Sequence, residues 1–181
     1  MRRHLGTPNL LWAAVFCFCI FSARCDAAAK DKKNVRCTIE AEEVVTRYAP
    51  ADNGAGPLWC YGSTVIARQG RDVYLSVIET GEGVPPLCNT RWQLWHRWSD
   101  GWSIGQSEKQ YRQREPCPIG LFQKGPVFLS VNPSTEPAGT QYGPCDPQVL
   151  EFNRENLSGE PKIHAPTWAD GTYFTDHSYR G

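Results

Sequence analysis

From residue 63 onward, apolar and polar positions alternate in short runs separated by Gly- and Pro-rich breaks. Within residues 72–79, Val73, Leu75 and Val77 fall on one face of an extended segment and Tyr74, Ser76 and Ile78 on the other. A strand with apolar groups on both faces is covered on both sides. Before it, residues 63–68 are rich in β-branched side chains and run into Gln69-Gly70-Arg71-Asp72, a hairpin turn. After it, residues 80–90 carry Gly81, Gly83, Pro85 and Pro86 and read as a loop. Residues 91–98 make a third strand and residues 101–105 a short fourth. The pattern predicts a four-stranded, up-and-down antiparallel sheet.

The plan then returns. Residues 119–123 are a first strand, Lys124-Gly125-Pro126 a turn, 127–132 the central strand, 133–147 a long Pro/Gly loop, 148–153 a third strand and 161–164 a fourth. Val73-Tyr74-Leu75-Ser76-Val77 reappears as Val127-Phe128-Leu129-Ser130-Val131. Cys60 and Cys88 bracket the first copy, and Cys117 and Cys145 the second, with the same step from copy to copy for both cysteines. Aligned on the cysteines, residues 88–97 match 145–154. A fixed order of features at a fixed period marks an internal repeat. Residues 168–176 read as the opening of a third unit, with a turn at Asp170-Gly171 and an aromatic strand after it; Gly181 comes before that unit is complete. Residues 34–58 are a lead-in segment. Within it, 39–48 suit either a short strand or a helical turn, and 49–57 are turn chemistry throughout.

Four-stranded repeats of this length with aromatic strands are the pattern of β-propeller blades. The chain resembles the N-terminal part of a secreted bacterial sialidase-type propeller, the BNR or Asp-box kind. The resemblance is carried by residues 72–77 on a second strand and by Leu94-Trp95-His96-Arg97-Trp98-Ser99-Asp100-Gly101-Trp102 across a third-to-fourth strand turn. The latter is a shortened form of the family's Ser/Thr-x-Asp-x-Gly-x-x-Trp box, and the second unit lacks it. The expected fold is all-β: a partial propeller of two four-stranded antiparallel blades, residues 59–114 and 115–164, plus the start of a third at 165–181. Two blades do not close a ring. A piece of a longer propeller, a ring of several copies and a two-sheet β-sandwich all fit the pattern.

The first residues change the cellular picture. Arg2, Arg3 and His4 precede an unbroken apolar run over residues 10–21, and Ala27-Ala28-Ala29 follows. These are the parts of a signal peptide spanning residues 1–29. The run is shorter than the ~20 residues a membrane span needs. The expectation is a secreted or periplasmic chain with no membrane contact after cleavage near Ala29. The whole sequence balances 19 Lys and Arg against 19 Asp and Glu. With no basic face to neutralise phosphates, nucleic acid is excluded as a partner.

In an exported chain Cys60, Cys88, Cys117 and Cys145 are disulfide candidates, with Cys37 left over. No Cys-x-x-Cys spacing or histidine pair suggests a metal, and no cofactor motif is present. Blade geometry implies the bridges Cys60–Cys88 and Cys117–Cys145, with pairing between blades as the competing arrangement. The same geometry places the loops entering strand one and leaving strand two on a shared rim. There Trp59, Tyr61, Arg91, Tyr142 and His164 are the candidate ligand-binding residues, apt for a glycan because ring faces stack and polar edges hydrogen-bond. No catalytic residue is assigned. The family's Arg-Ile-Pro motif is missing, and no spacing singles out a carboxylate pair among Glu79, Glu82, Asp146 and Asp170. His96 and His164 have no nucleophile partner by spacing, and a lone strand histidine reads as structural. The expected function is a glycan- or protein-binding module without activity of its own, able to self-associate through exposed blade edges. The alternatives are a fragment of a sialidase-type exo-glycosidase and a structural envelope or matrix protein.

Overall fold

Gly70, at φ +61°, turns the chain between β1 (Ile66–Gln69) and β2 (Asp72–Thr80), where a side chain would be strained. The structure, a computed structural model, describes residues 36–56 and 63–176. β3 (Thr90–Trp98) and β4 (Gly101–Ser107) complete a four-stranded antiparallel sheet in the order β1-β2-β3-β4. The second sheet repeats this order with β5 (Ile119–Leu121), β6 (Val127–Val131), β7 (Gln148–Phe152) and β8 (Lys162–His164). The described part is thus all-β, as two separate antiparallel meanders. Among the described residues, 36–42 belong to one unit and those from Glu43 onward to another; residues 36–42 are irregular and exposed. Neither a strand nor a helical turn forms over residues 39–48.

The repeated strand buries opposite faces in its two copies. In β2 the buried side chains are Tyr74, Ser76 and Ile78, and Val73, Leu75 and Val77 are half-buried. In β6 the buried ones are Val127, Leu129 and Val131, and Phe128 and Ser130 are half-buried. Cross-strand pairing extends each face. Tyr74, Ser76 and Ile78 stand opposite His96, Leu94 and Trp92 of β3. Val127 and Leu129 stand opposite Phe152 and Leu150 of β7, and Leu121 and Ile119 of β5. These two faces meet in one core. Trp92 packs edge-on against Phe152 with ring centroids 5.7 Å apart. The sheets therefore stack head to tail: the aromatic face of the first covers the aliphatic face of the second. A sandwich pairing like faces would bury the same side of both copies.

One glycine is needed for the close approach. The β3–β4 register shifts between Leu94 and Trp95, leaving Gly105 as the extra residue of a bulge. A Cβ there would lie 2.8 Å from Cβ of buried Leu157, in the connection between β7 and β8. Nearer the first strands, the Ile119 amide donates to the Thr64 carbonyl at 2.7 Å, tying the sheets together through backbone.

Between the sheets, Gln113 acts as a clamp. Its amide donates to the Thr90 carbonyl and its carbonyl accepts from the Thr90 amide, at 2.7 and 2.9 Å. Its side-chain oxygen accepts from the Asn132 amide at the end of β6, and its Nε2 donates to Glu108 at 3.0 Å. Burial pushes the Glu108 carboxyl above its ordinary range, against the opposing pull of Gln113 and Arg112.

The pairing register aligns the repeats differently from the cysteines. Leu75 faces Trp95, and Leu129 faces Leu150, so Trp95 corresponds to Leu150 and His96 to Glu151. Alignment on the cysteines matches Trp95 to Phe152 instead. The displacement is from Leu150 to Phe152, which preserves the face, and it arises because the loops after β2 and β6 differ in length. The expected opening of a third unit takes another course. A turn does form at Asp170-Gly171, but among the described residues no third sheet begins. Instead the chain runs back over the second sheet's long loop: Thr175 bridges Pro144, and the Phe174 carbonyl accepts from the Cys145 amide at 3.0 Å. Asp176, buried, receives Arg114 Nη1 at 2.7 Å. These bonds satisfy backbone that a new strand would have left open.

Candidate functional site

The strand ends at the β1–β2 and β5–β6 hairpins enclose a cleft of about 850 Å³. The first sheet contributes Asp72 and Tyr74 from the start of β2 and His96 and Trp98 from the end of β3. The second contributes Lys124, Gly125 and Pro126 of its hairpin, and Glu151, Arg154 and Lys162 around the β7–β8 connection. The local sequence dictates this placement. Tyr74 and His96 share the buried face by cross-strand pairing, and the two-residue turn Ser99-Asp100 sets Trp98 at the strand end. Gly101, at φ +125°, lets β4 start directly after that turn. This is where the Asp-box-like residues were expected to turn the chain.

The side chains form a layered stack. Tyr74 and His96 lie parallel with ring centroids 4.5 Å apart, and Trp98 meets His96 edge-on at 4.0 Å. Arg154 reaches across from the second sheet. It donates to Asp72 Oδ2 at 2.7 Å, to the Tyr74 hydroxyl at 3.3 Å and to Gln69 Oε1, and its guanidinium lies 5.8 Å from the Tyr74 ring centroid. Arginine can hold this bridging position because its fork of donors serves several acceptors at once.

His96 is the anomaly in this wall. It is 4% exposed, yet neither ring nitrogen has a hydrogen-bond partner among the described residues. The Asp72 carboxylate stands 3.8 Å from Nε2, beyond hydrogen-bond reach. Burial holds the imidazole below the usual histidine range, and the neighbouring Asp72 charge opposes that only in part. At neutral pH the ring thus presents one donor and one acceptor. Leaving such a buried polar group unsatisfied costs roughly 1–3 kcal/mol.

The expected rim residues are spread over the molecule. Trp59 and Tyr61 lie outside the described residues. Arg91 binds Glu79 on the outer face of the first sheet and lies 5.0 Å from the Tyr111 ring centroid. Tyr142 is exposed in the loop after β6. His164 sits on the outer face of the second sheet, 2.6 Å from Glu151. None of these three lines the cleft, which opens at the opposite end of the sheets. His96, which reads from the sequence as a structural strand histidine, stands in an inward row otherwise made of Trp92, Leu94 and Trp98.

Of the disulfide candidates, Cys60 lies outside the described residues, and Cys88, Cys117 and Cys145 are buried. Cys117 Sγ is 3.8 Å from Gln113 Oε1 and 3.9 Å from the Glu115 carbonyl. Among the described residues no cluster of His, Cys, Asp and Glu could hold a metal ion, and no helix is long and apolar enough to cross a membrane. No protein-family model, no curated protein and no solved structure matches this chain.

Proposed function

We propose that the chain is an exported, propeller-type binding module whose two sheets are neighbouring blades, and that the cleft between their hairpins takes a neutral, hydroxyl-rich glycan. The head-to-tail stack supports the propeller reading, because blades around an axis each present one face to the preceding blade and the other to the next. The signal-like segment at the N-terminus, ending near Ala29, supports export. The observation that carries the ligand reading is the aromatic wall of Tyr74, His96 and Trp98 that lines the cleft, in which His96 is buried with neither ring nitrogen hydrogen-bonded among the described residues. Trp98, about half exposed beside His96, offers a ring face for the apolar side of a pyranose. The cleft's charges favour a neutral ligand: Asp72, Glu151, Glu155 and Glu160 oppose Lys124, Arg154 and Lys162.

The test is a glycan array carrying neutral and acidic sugars, probed with wild type and with His96→Phe and Trp98→Ala. The reading expects wild-type binding to neutral glycans and loss in both variants. Binding restricted to acidic sugars, or binding that both variants retain, would refute it.

A further inference from the structure

At the opposite end from the cleft, the long loops that follow β2 and β6 press together. The Gly139 amide donates to the Cys88 carbonyl at 3.1 Å. Gly139, at φ +79°, lies so close to the first loop that a Cβ would stand 2.6 Å from the Pro85 carbonyl oxygen. In the second loop, Cys145 pairs with Ser134 in an antiparallel bridge, and its amide is held by Phe174. The backbone on both sides of the contact is therefore fixed. Within it the Cys145 side chain lies close enough to Cys88 to draw the Cys88 thiol below its ordinary value. Both are buried, Cys88 completely.

We propose that Cys88 and Cys145 form a disulfide that joins the two repeats at their loop rim. Each cysteine occupies the equivalent place in its own repeat, after the central strand, so the bond links like positions of successive units. A disulfide needs Cα atoms within about 7 Å, and the loops that carry the two cysteines are already hydrogen-bonded to each other through Gly139 and Cys88. The bond would close a loop from Cys88 to Cys145 that contains β3 through β6.

The chemistry balances with an external disulfide as oxidant. The Cys88 thiol loses its proton, and the thiolate attacks one sulfur of the oxidant, expelling the other as a thiolate. Cys145 then loses its proton and attacks the Cys88 sulfur of the mixed disulfide, expelling the second half of the oxidant. Two protein thiols are oxidised, the oxidant is reduced to two thiols, and two protons pass from the protein to the released thiolates. The surroundings suit Cys88 as the first nucleophile. The neighbouring Cys145 side chain draws its thiol below the ordinary value, aided by the Arg114 charge and Ser134, against burial and Asp176.

The sequence makes the test direct, because trypsin places Cys88 and Cys145 on different peptides, 72–91 and 125–154, each with no other cysteine. The full chain is refolded in oxidised and reduced glutathione, blocked with an alkylating agent, digested without reduction and analysed by mass spectrometry. The expected species joins peptide 72–91 to 125–154, two hydrogens lighter than their sum, and disappears on reduction. A link from 72–91 to the Cys60 peptide, a link from 125–154 to the Cys117 peptide, or both peptides carrying alkylated cysteine would overturn the proposal. Cys145→Ala supplies an independent arm. Cys88 becomes alkylatable in it if the assignment holds; Cys88 still blocked from alkylation would sink it.

Discussion

The same five-residue strand lying with opposite faces buried allows a crossed pair of substitutions. Leu129 is fully buried between Ile119 and Leu150, whereas Leu75, its repeat equivalent, is half-buried on the outer face. Truncating a fully buried leucine to alanine costs about 3–4 kcal/mol through lost transfer energy and the cavity left behind. Half the burial, with solvent able to fill the space, reduces this to about 1–1.5 kcal/mol for Leu75→Ala. The aromatic pair runs the other way. Tyr74 is 1% exposed, stacks on His96 and accepts from Arg154, so Tyr74→Ala costs about 3–4 kcal/mol. Phe128 is half-buried against Phe122 on the outer face, and Phe128→Ala costs about 1 kcal/mol. Equilibrium urea unfolding reads all four. With a slope near 2 kcal/mol per molar, the two severe variants lose about 1.5 M or more in midpoint and the two mild ones about 0.5 M. Leucine should thus matter more in the second copy and the aromatic more in the first. Equal losses for the two leucines, or for the two aromatics, would refute the head-to-tail stack.

Gly105→Ala should destabilise by about 1–3 kcal/mol, because the new methyl meets Leu157 at the bulge; the unfolding midpoint checks it, and pairing with Leu157→Ala should relieve part of the loss. His96 titrates lower in the folded chain than in the unfolded one. The folded state therefore binds fewer protons, and its stability falls as pH drops below the unfolded histidine value of about 6.5. A pH series of unfolding midpoints should show this fall in wild type, and a smaller one in His96→Phe between pH 7.5 and 5. Glu43 receives Arg97 and the Trp102 indole, and the Arg97 hydrogen bond leads in lowering its pKa to about 2. Carboxyl NMR titration should find that midpoint, and Arg97→Gln should raise it towards the ordinary carboxylate range.

Much of the fold was legible because its signals are local. The β1–β2 turn at Gly70, the Ser99-Asp100 turn and the Lys124-Gly125-Pro126 turn each follow from residues that fix backbone angles, and the strands between them alternate with period two. Which face of each strand is buried was not legible. Val-Tyr-Leu-Ser-Val and Val-Phe-Leu-Ser-Val offer apolar groups on both sides, and only the neighbour across the core decides between them. The cysteine step concealed the true register for a related reason: loop length changes between copies, and strand pairing does not follow it. Phe174 and Thr175 looked like strand residues by composition, but Cys145 and Pro144 supply their backbone contacts. The cleft was hidden because it needs residues from both sheets. Tyr74 and His96 lie in the first repeat, far before Arg154 in the chain, and carry no motif that announces their meeting.

The cleft reading is tested most directly by titrating an array-selected glycan into isotope-labelled protein and following side-chain NMR signals. The account predicts shifts in the Trp98 indole and the His96 ring, with the Trp168 indole and the His164 ring unmoved. Shifts confined to Arg91, Tyr142 or His164, or no shift at His96 at saturating glycan, would contradict it.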